Sequence, residues 1–285
     1  MFENILLPVS SEFYPGKALE RSAFLAEIFG SRITMLYIIE EKTLDNTDKI
    51  SDAFRSYYER EETKSDIRRE YLSTAEKVIF ENAKQFFEEK NIFPDEKISK
   101  GEFSDVIRNE LDNEQYNLII TGYERGCLLH YRIIDSSRVP IWVESGAGNS
   151  TILAVCSNLA PNQKVPRVSI ELAHSLGWKL HMLYVVDMQD SVEVDKRGNR
   201  SGTKSERELT DAGEEFLKEM EGAGVDTRLV TGSLERETVR AAREINAGLV
   251  VVGREQKKNG LLGLPVKSIK KKLAEKCEYS ILFIN

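Results

Sequence analysis

The chain has 285 residues, 41% of them hydrophobic and 31% charged, with a formal net charge of −7. That length suits one large domain or two of ordinary size. No apolar run approaches the roughly 20 residues of a membrane helix, and the acidic balance argues against nucleic acid as a partner. The opening MFENILLPVS has no basic leader and no small-residue cleavage site, so no secretory signal is expected. Cys127, Cys156 and Cys277 show no paired spacing, which fits reduced thiols in the cytoplasm. His130, His174 and His181 show no metal-ligand spacing.

Ile5–Val9 reads as a buried strand and Lys17–Phe29 as a helix closed by Gly30. Ile33–Ile39 is the second strand. From about Thr43 to Lys90 a stripe of aromatic and aliphatic residues predicts one or two long helices, a core or subunit contact. A third strand is expected around Lys97–Ser99, a helix over Phe103–Leu111, a fourth strand at Leu118–Thr121 and a fifth at Ile141–Glu144. The second half repeats the order. Thr151–Val155 is a strand, Val165–Leu176 a helix ending at Gly177, and Leu180–Val186 a strand. Asp187–Ser205 is polar and Gly-containing and reads as a loop or a partly disordered stretch. Glu206–Glu221 is helical, Asp226–Val230 a strand, Leu234–Asn246 a helix, Leu249–Val252 a strand, Ile269–Lys276 a helix and Ser280–Ile284 the last strand.

The halves resemble each other. Ile33–Glu40 (ITMLYIIE) recurs as Leu180–Asp187 (LHMLYVVD), 147 positions on, and Gly30 recurs as Gly177 at the same offset. Gly101 and Gly122 recur as Gly232 and Gly253, 131 positions on. Order-preserving self-similarity of this kind marks a tandem duplication. The small-residue stretch Ser145–Ser150 puts the boundary between domains at 1–146 and 149–285. Strands alternating with helices, and lacking inward–outward alternation, predict two tandem flavodoxin- or Rossmann-like α/β domains. Each is a doubly wound parallel five-stranded sheet of order 3-2-1-4-5. Ligands of such sheets bind beyond the carboxyl ends of strands one and four, where strand order reverses, so Val155–Asn158 and Gly253–Ser268 are expected to face one crevice.

In the second half, Leu249–Val252 runs into Gly253, a Gly- and Lys-rich loop and a helix start near Ser268. Strand, glycine loop and helix start suit an anion, because free N–H groups and the helix dipole face it. The other reading is a solvated turn followed by a lysine-rich exposed helix. No nucleophile elbow, Cys/His pair or metal cluster appears. Cys156 reads as a small buried filler at a strand end, the alternative being a redox-sensing thiol.

These motifs, with Ile5-Leu-Leu-Pro-Val, Thr151-Ile-Leu-Ala-Val and the stretch from Gly232 through Thr238 to Ala241-Ala, make both halves similar to the universal stress protein family in its two-domain form. The resemblance implies the adenine nucleotide alpha hydrolase-like fold. It also implies, in nucleotide-binding members, an Asp after the first strand that meets adenine, and a Gly-x-x-Gly-nine-residues-Gly-Ser loop around ribose and phosphates. Here the Asp position is Ser10 in the first half and Cys156 in the second. The first-half loop lacks most of the pattern, so that half is expected not to bind. The second half retains Gly253, Gly260 and Gly263, with Lys267 and Ser268 where Gly-Ser is usual. Its candidate nucleotide-binding residues are therefore Val155, Cys156, Val185, Gly253, Gly260, Gly263, Lys267 and Ser268, for ATP or AMP without a metal ligand cluster.

The resemblance also implies dimerisation through the last strand, so the two halves are expected to pair through theirs, with the long first-half helices as the expected contact of a homodimer. Three functions stay open. The chain is a stress-response regulator gated by an adenine nucleotide, a protein-interaction module with decayed sites and an unknown protein partner, or a slow ATP hydrolase. Glu255 is the one acid in the loop, and it reads as solvent-facing.

Overall fold

The computed structural model describes residues 1–10, 16–39, 80–122, 133–134, 137–195, 197–221, 225–253, 273–274, 276 and 278–284. The chain divides into two compact units, Met1–Tyr123 and Glu124–Asn285. The first unit contains β1 (Asn4–Ser10), α1 (Gly16–Phe29), β2 (Arg32–Ile39), α2 (Glu81–Glu88), β3 (Asp95–Lys100), α3 (Phe103–Asn113) and β4 (Leu118–Gly122). Its described strands are parallel, in the order β3-β2-β1-β4. The stripe expected from Thr43 to Lys90 lies outside the described residues up to Ile79.

The second unit contains β5 (Ile141–Glu144), β6 (Thr151–Ser157), α4 (Lys164–Leu176), β7 (Lys179–Val186), α5 (Glu206–Glu221), β8 (Asp226–Thr231), α6 (Leu234–Glu244), β9 (Leu249–Val252) and β10 (Ile281–Phe283). The parallel order β8-β7-β6-β9-β10 is the 3-2-1-4-5 arrangement expected of a doubly wound sheet. β5 adds to its edge antiparallel, with Ile141 opposite Phe283 and Val143 opposite Ile281.

The inner strands are buried on both faces, which is why their sequences do not alternate. Ile5, Leu6, Leu7 and Ile152 are wholly buried, as are Val250 and Val251. The duplication is written in the helix ends. α1 stops at Gly30 (φ 64°), and α4 stops at Gly177 (φ 65°), both in the left-handed region that a glycine adopts without strain. The segment after β5 is tightly seated. A Cβ on Gly148 would lie 1.9 Å from the carbonyl oxygen of Ala247, and one on Gly248 would lie 1.8 Å from that of Asn149.

The β5 edge is sealed by a buried carboxylate. Glu144, 1% exposed, accepts from the Trp142 indole N–H at 2.8 Å, the Ser280 hydroxyl at 2.9 Å and the Gly146 N–H at 2.8 Å. A buried charge with three donors satisfies the pairing that burial demands.

Of the two readings of Asp187–Ser205, the structure has the loop. Its described residues supply hydrogen bonds to one another. Val194 and Arg200 form a bridge, and the Asp195 carboxylate accepts from the N–H groups of Arg197 and Asn199, each at 2.8 Å. Arg200 pairs with Asp190, and Lys204 with Glu193.

Candidate functional site

Strand order in the second unit reverses between β6 and β9, whose registers set Val155 beside Val252. Cys156, next to last on β6, and Gly253, just past β9, therefore lie near the ends of neighbouring strands, and Val185 on β7 stands opposite Ser157. The fold thus brings Val155, Cys156, Val185 and Gly253 to one end of the sheet. The first three are core residues, exposed by 3%, 1% and 0%. Burial pushes the Cys156 thiol far above its ordinary range, so it stays protonated and packs as a small filler. Gly253 is half-buried, and a Cβ there would come within 3.1 Å of Val165 on the first turn of α4. Gly260, Gly263, Lys267 and Ser268 lie outside the described residues, as does Glu255.

The residue at the centre of this corner is Asn158, which the sequence places at the crevice as the end of the stretch Val155–Asn158 but which was not among the candidate binding residues. It is 1% exposed. Its Nδ2 donates to the carbonyls of Asp187 (3.2 Å), Asp190 (3.3 Å) and Val192 (2.7 Å), and its Oδ1 accepts from the Asp187 N–H at 2.7 Å. The Asn158 carbonyl in turn accepts from Val194 N–H at 2.9 Å. One amide thereby fastens residues 187–194 across the carboxyl end of β6.

Asp187 completes the knot. Its carboxylate accepts from Gln189 N–H at 2.9 Å and from Leu234 N–H, the first residue of α6, at 2.8 Å. Ser233 stands at the N-cap without a side-chain cap bond, so Asp187 caps α6 from another loop and puts a negative charge at the positive end of the helix dipole. The turn after β6 also satisfies itself, because Asn162 accepts from Ser157 N–H at 3.1 Å and donates to Ser157 carbonyl at 2.8 Å. A signal existed in the sequence. Asn158 and Asp187 are polar residues placed immediately beyond apolar strands, the position from which a side chain can tie loops together.

No group of His, Cys, Asp and Glu among the described residues is arranged to hold a metal. His181 instead pairs through Nδ1 with Asp226 at 2.8 Å. An open groove of about 670 Å³ lies along the outer face of α6, where Arg240 pairs with Glu237, and Lys276 with Glu235. No helix among the described residues is long and apolar enough to cross a membrane.

The model of the universal stress protein family matches residues 1–135 and again residues 149–285. A universal stress protein from Archaeoglobus fulgidus DSM 4304 superposes with a TM-score of 0.62 at 16% identity, covering 99% of this chain and 98% of that one. A functionally unknown protein from Pseudomonas aeruginosa PAO1 superposes with a TM-score of 0.66 at 13% identity, over 99% of this chain and 92% of that one. At such identities the likeness is one of fold. A search of curated proteins found no match.

Proposed function

Because the chain belongs to the universal stress protein family, each of its halves matching the family once, we propose that it is a stress-response regulator that acts through its surfaces, without catalysing a reaction, and that no nucleobase seats at the end of β6. The observation that carries this reading is the knot around Asn158. Where the family resemblance implies a carboxylate for adenine, this chain has the buried, protonated Cys156, and the polar groups beside it are consumed by the chain's own loop. A base entering there would have to displace residues 188–194 and leave the Asn158 amide and several carbonyls unpaired.

A second reading is favoured by Gly253. It closes β9 beside Cys156 at the reversal point, and Gly260, Gly263, Lys267 and Ser268 follow it in sequence. In that reading the second half holds the phosphates of ATP or AMP on the loop, with weak contacts to the base.

Titration calorimetry of the full chain with millimolar ATP, AMP and cyclic AMP separates the two. The first reading expects no saturable heat and no rise in melting temperature. The second expects binding that falls steeply with salt and is lost in Gly263→Asp, with about 2.7 kcal/mol of added stability at ligand concentrations one hundred times the Kd. Release of phosphate from ATP by the purified chain, absent in the same variant, would overturn both in favour of a hydrolase.

A further inference from the structure

β3 is the outermost described strand of the first unit, with β2 on one side and no described strand on the other. The phase of its backbone can be read from the residue that follows it. Gly101 donates its N–H to the Ile39 carbonyl on β2 at 3.1 Å. Backbone groups of a parallel strand point alternately to its two sides. Asp95, Lys97 and Ser99 therefore bond to β2, while Glu96, Ile98 and Lys100 turn their N–H and C=O groups outward.

The side chains of those three residues share one face, and all three are exposed, Ile98 by 53%. They read acid, apolar, base at alternate positions. Rotated end for end about Ile98, the same stripe reads base, apolar, acid. An antiparallel second copy would thus set Ile98 opposite Ile98, with outward backbone groups exchanging both hydrogen bonds. Glu96 would face Lys100 twice, once on each side of the axis. A surface that is its own complement under a two-fold rotation is the requirement for an isologous contact. Phe93, 77% exposed just before β3, adds apolar area beside the strand.

The second copy of the repeat supplies an internal control. β8 has the same phase, because Gly232 donates to the Val186 carbonyl at 3.0 Å. Yet the positions equivalent to Glu96, Ile98 and Lys100 are Thr227, Leu229 and Thr231, which carry no charge. Leu229 is covered by α5 so closely that a Cβ on Gly213 would lie 2.8 Å from its Cδ1. Exposed strand edges are commonly guarded against pairing by charge. On β3 the charges are complementary to themselves under the two-fold rotation, with Glu96, which already pairs with Lys84 of α2 at 3.0 Å, shared between that lysine and the second copy's Lys100.

We propose that the β3 edge is a two-fold interface through which two copies of this chain pair antiparallel about Ile98. Sedimentation velocity of the full chain over a concentration series tests it. The wild type is expected to dimerise, more weakly as salt rises. Lys100→Glu would set Glu against Glu on both sides of the axis and raise the dimer Kd roughly tenfold to a hundredfold. The swap Glu96→Lys with Lys100→Glu, made together with Lys84→Glu so that the ion pair to α2 is reversed as well, restores both pairs and should restore the dimer. Ile98→Lys should abolish it. All these positions are exposed, and an unchanged far-UV spectrum and melting temperature of the monomer confirm that each variant folds. A wild type that stays monomeric at about 100 µM would overturn the proposal. So would a dimer indifferent to both Lys100→Glu and Ile98→Lys, or a swap that fails to recover association.

Discussion

In the first copy of the repeat, Lys97 on β3 reaches Glu110 of α3 at 2.7 Å. In the second, Arg228 on β8, 131 positions further on, reaches Glu244 of α6 at 2.5 Å. Both pairs tie the third strand to the helix that follows it, on the face of the strand opposite Ile98 and Leu229. On the other side the copies part. Ile98 is 53% exposed, whereas Leu229 lies under α5 against Gly213. The carboxyl end of the second copy is likewise closed by the Asn158 knot, with Asp187 holding the first turn of α6. Both copies carry a strand-to-helix ion pair at this position, and the opposite face differs between them. The second copy spent its polar side chains on internal closure, while the first leaves a charged, apolar edge in solvent.

The closure of the second copy is best challenged by restoring what the family resemblance implies there. Cys156→Asp places a carboxylate in a site 1% exposed that already holds a satisfied loop. The variant is expected to lose about 4 kcal/mol of stability by urea titration and to gain no affinity for AMP. Appearance of AMP binding would show that the base seat survives beneath the knot. A smaller loss, about 3 kcal/mol, is expected for Asn158→Ala, because it strands the Asp187 N–H and three carbonyls. Hydrogen exchange should then quicken over residues 188–194 ahead of the rest of β6 and β7. Uniform quickening would mean that Asn158 supports the unit as a whole and has no special hold on the loop.

The smallest effect concerns the tie in the first copy. The Tyr116 hydroxyl donates to Glu110 at 2.5 Å, beside Lys97. Burial first, and this hydrogen bond second, push the phenol up to about 12 from its ordinary 10.0. A raised folded value favours folding while the group is protonated. The contribution is complete below pH 10 and is lost as pH climbs through about 12. The hydrogen bond to Glu110 raises Lys97 as well, with the same sign. Denaturant midpoints measured across this alkaline range should fall, and fall less steeply in Tyr116→Phe. Equal slopes in the two proteins would remove Tyr116 from the tie.

Much of the fold could be read before any coordinates. The glycines at offset 147, Gly30 and Gly177, are both left-handed helix ends, and Glu206–Glu221 and Ile141–Glu144 appear with the expected limits. These features are local, because an apolar run covered on both faces and a glycine closing a helix carry their cause within a few residues. The candidate site was less legible. Val155, Cys156 and Val185 do gather at the sheet end, but as core. Asn158 was placed at the crevice without a role, and Asp187–Ser205 read as a loop or a partly disordered stretch with no sign of which side chains close it.

The amino-acid pattern by itself determined two copies of an alternating strand–helix unit and the parallel order of the second sheet, since hydrophobic periodicity and helix-ending glycines act over short stretches of chain. Only the tertiary structure decided which polar groups are already satisfied and which edge faces water. Apart from the Gln189 N–H beside Asp187, the side-chain partners of Asn158 and Asp187 lie 29 to 47 positions away, and a hydrogen bond depends on atoms meeting in space, whatever their separation along the chain.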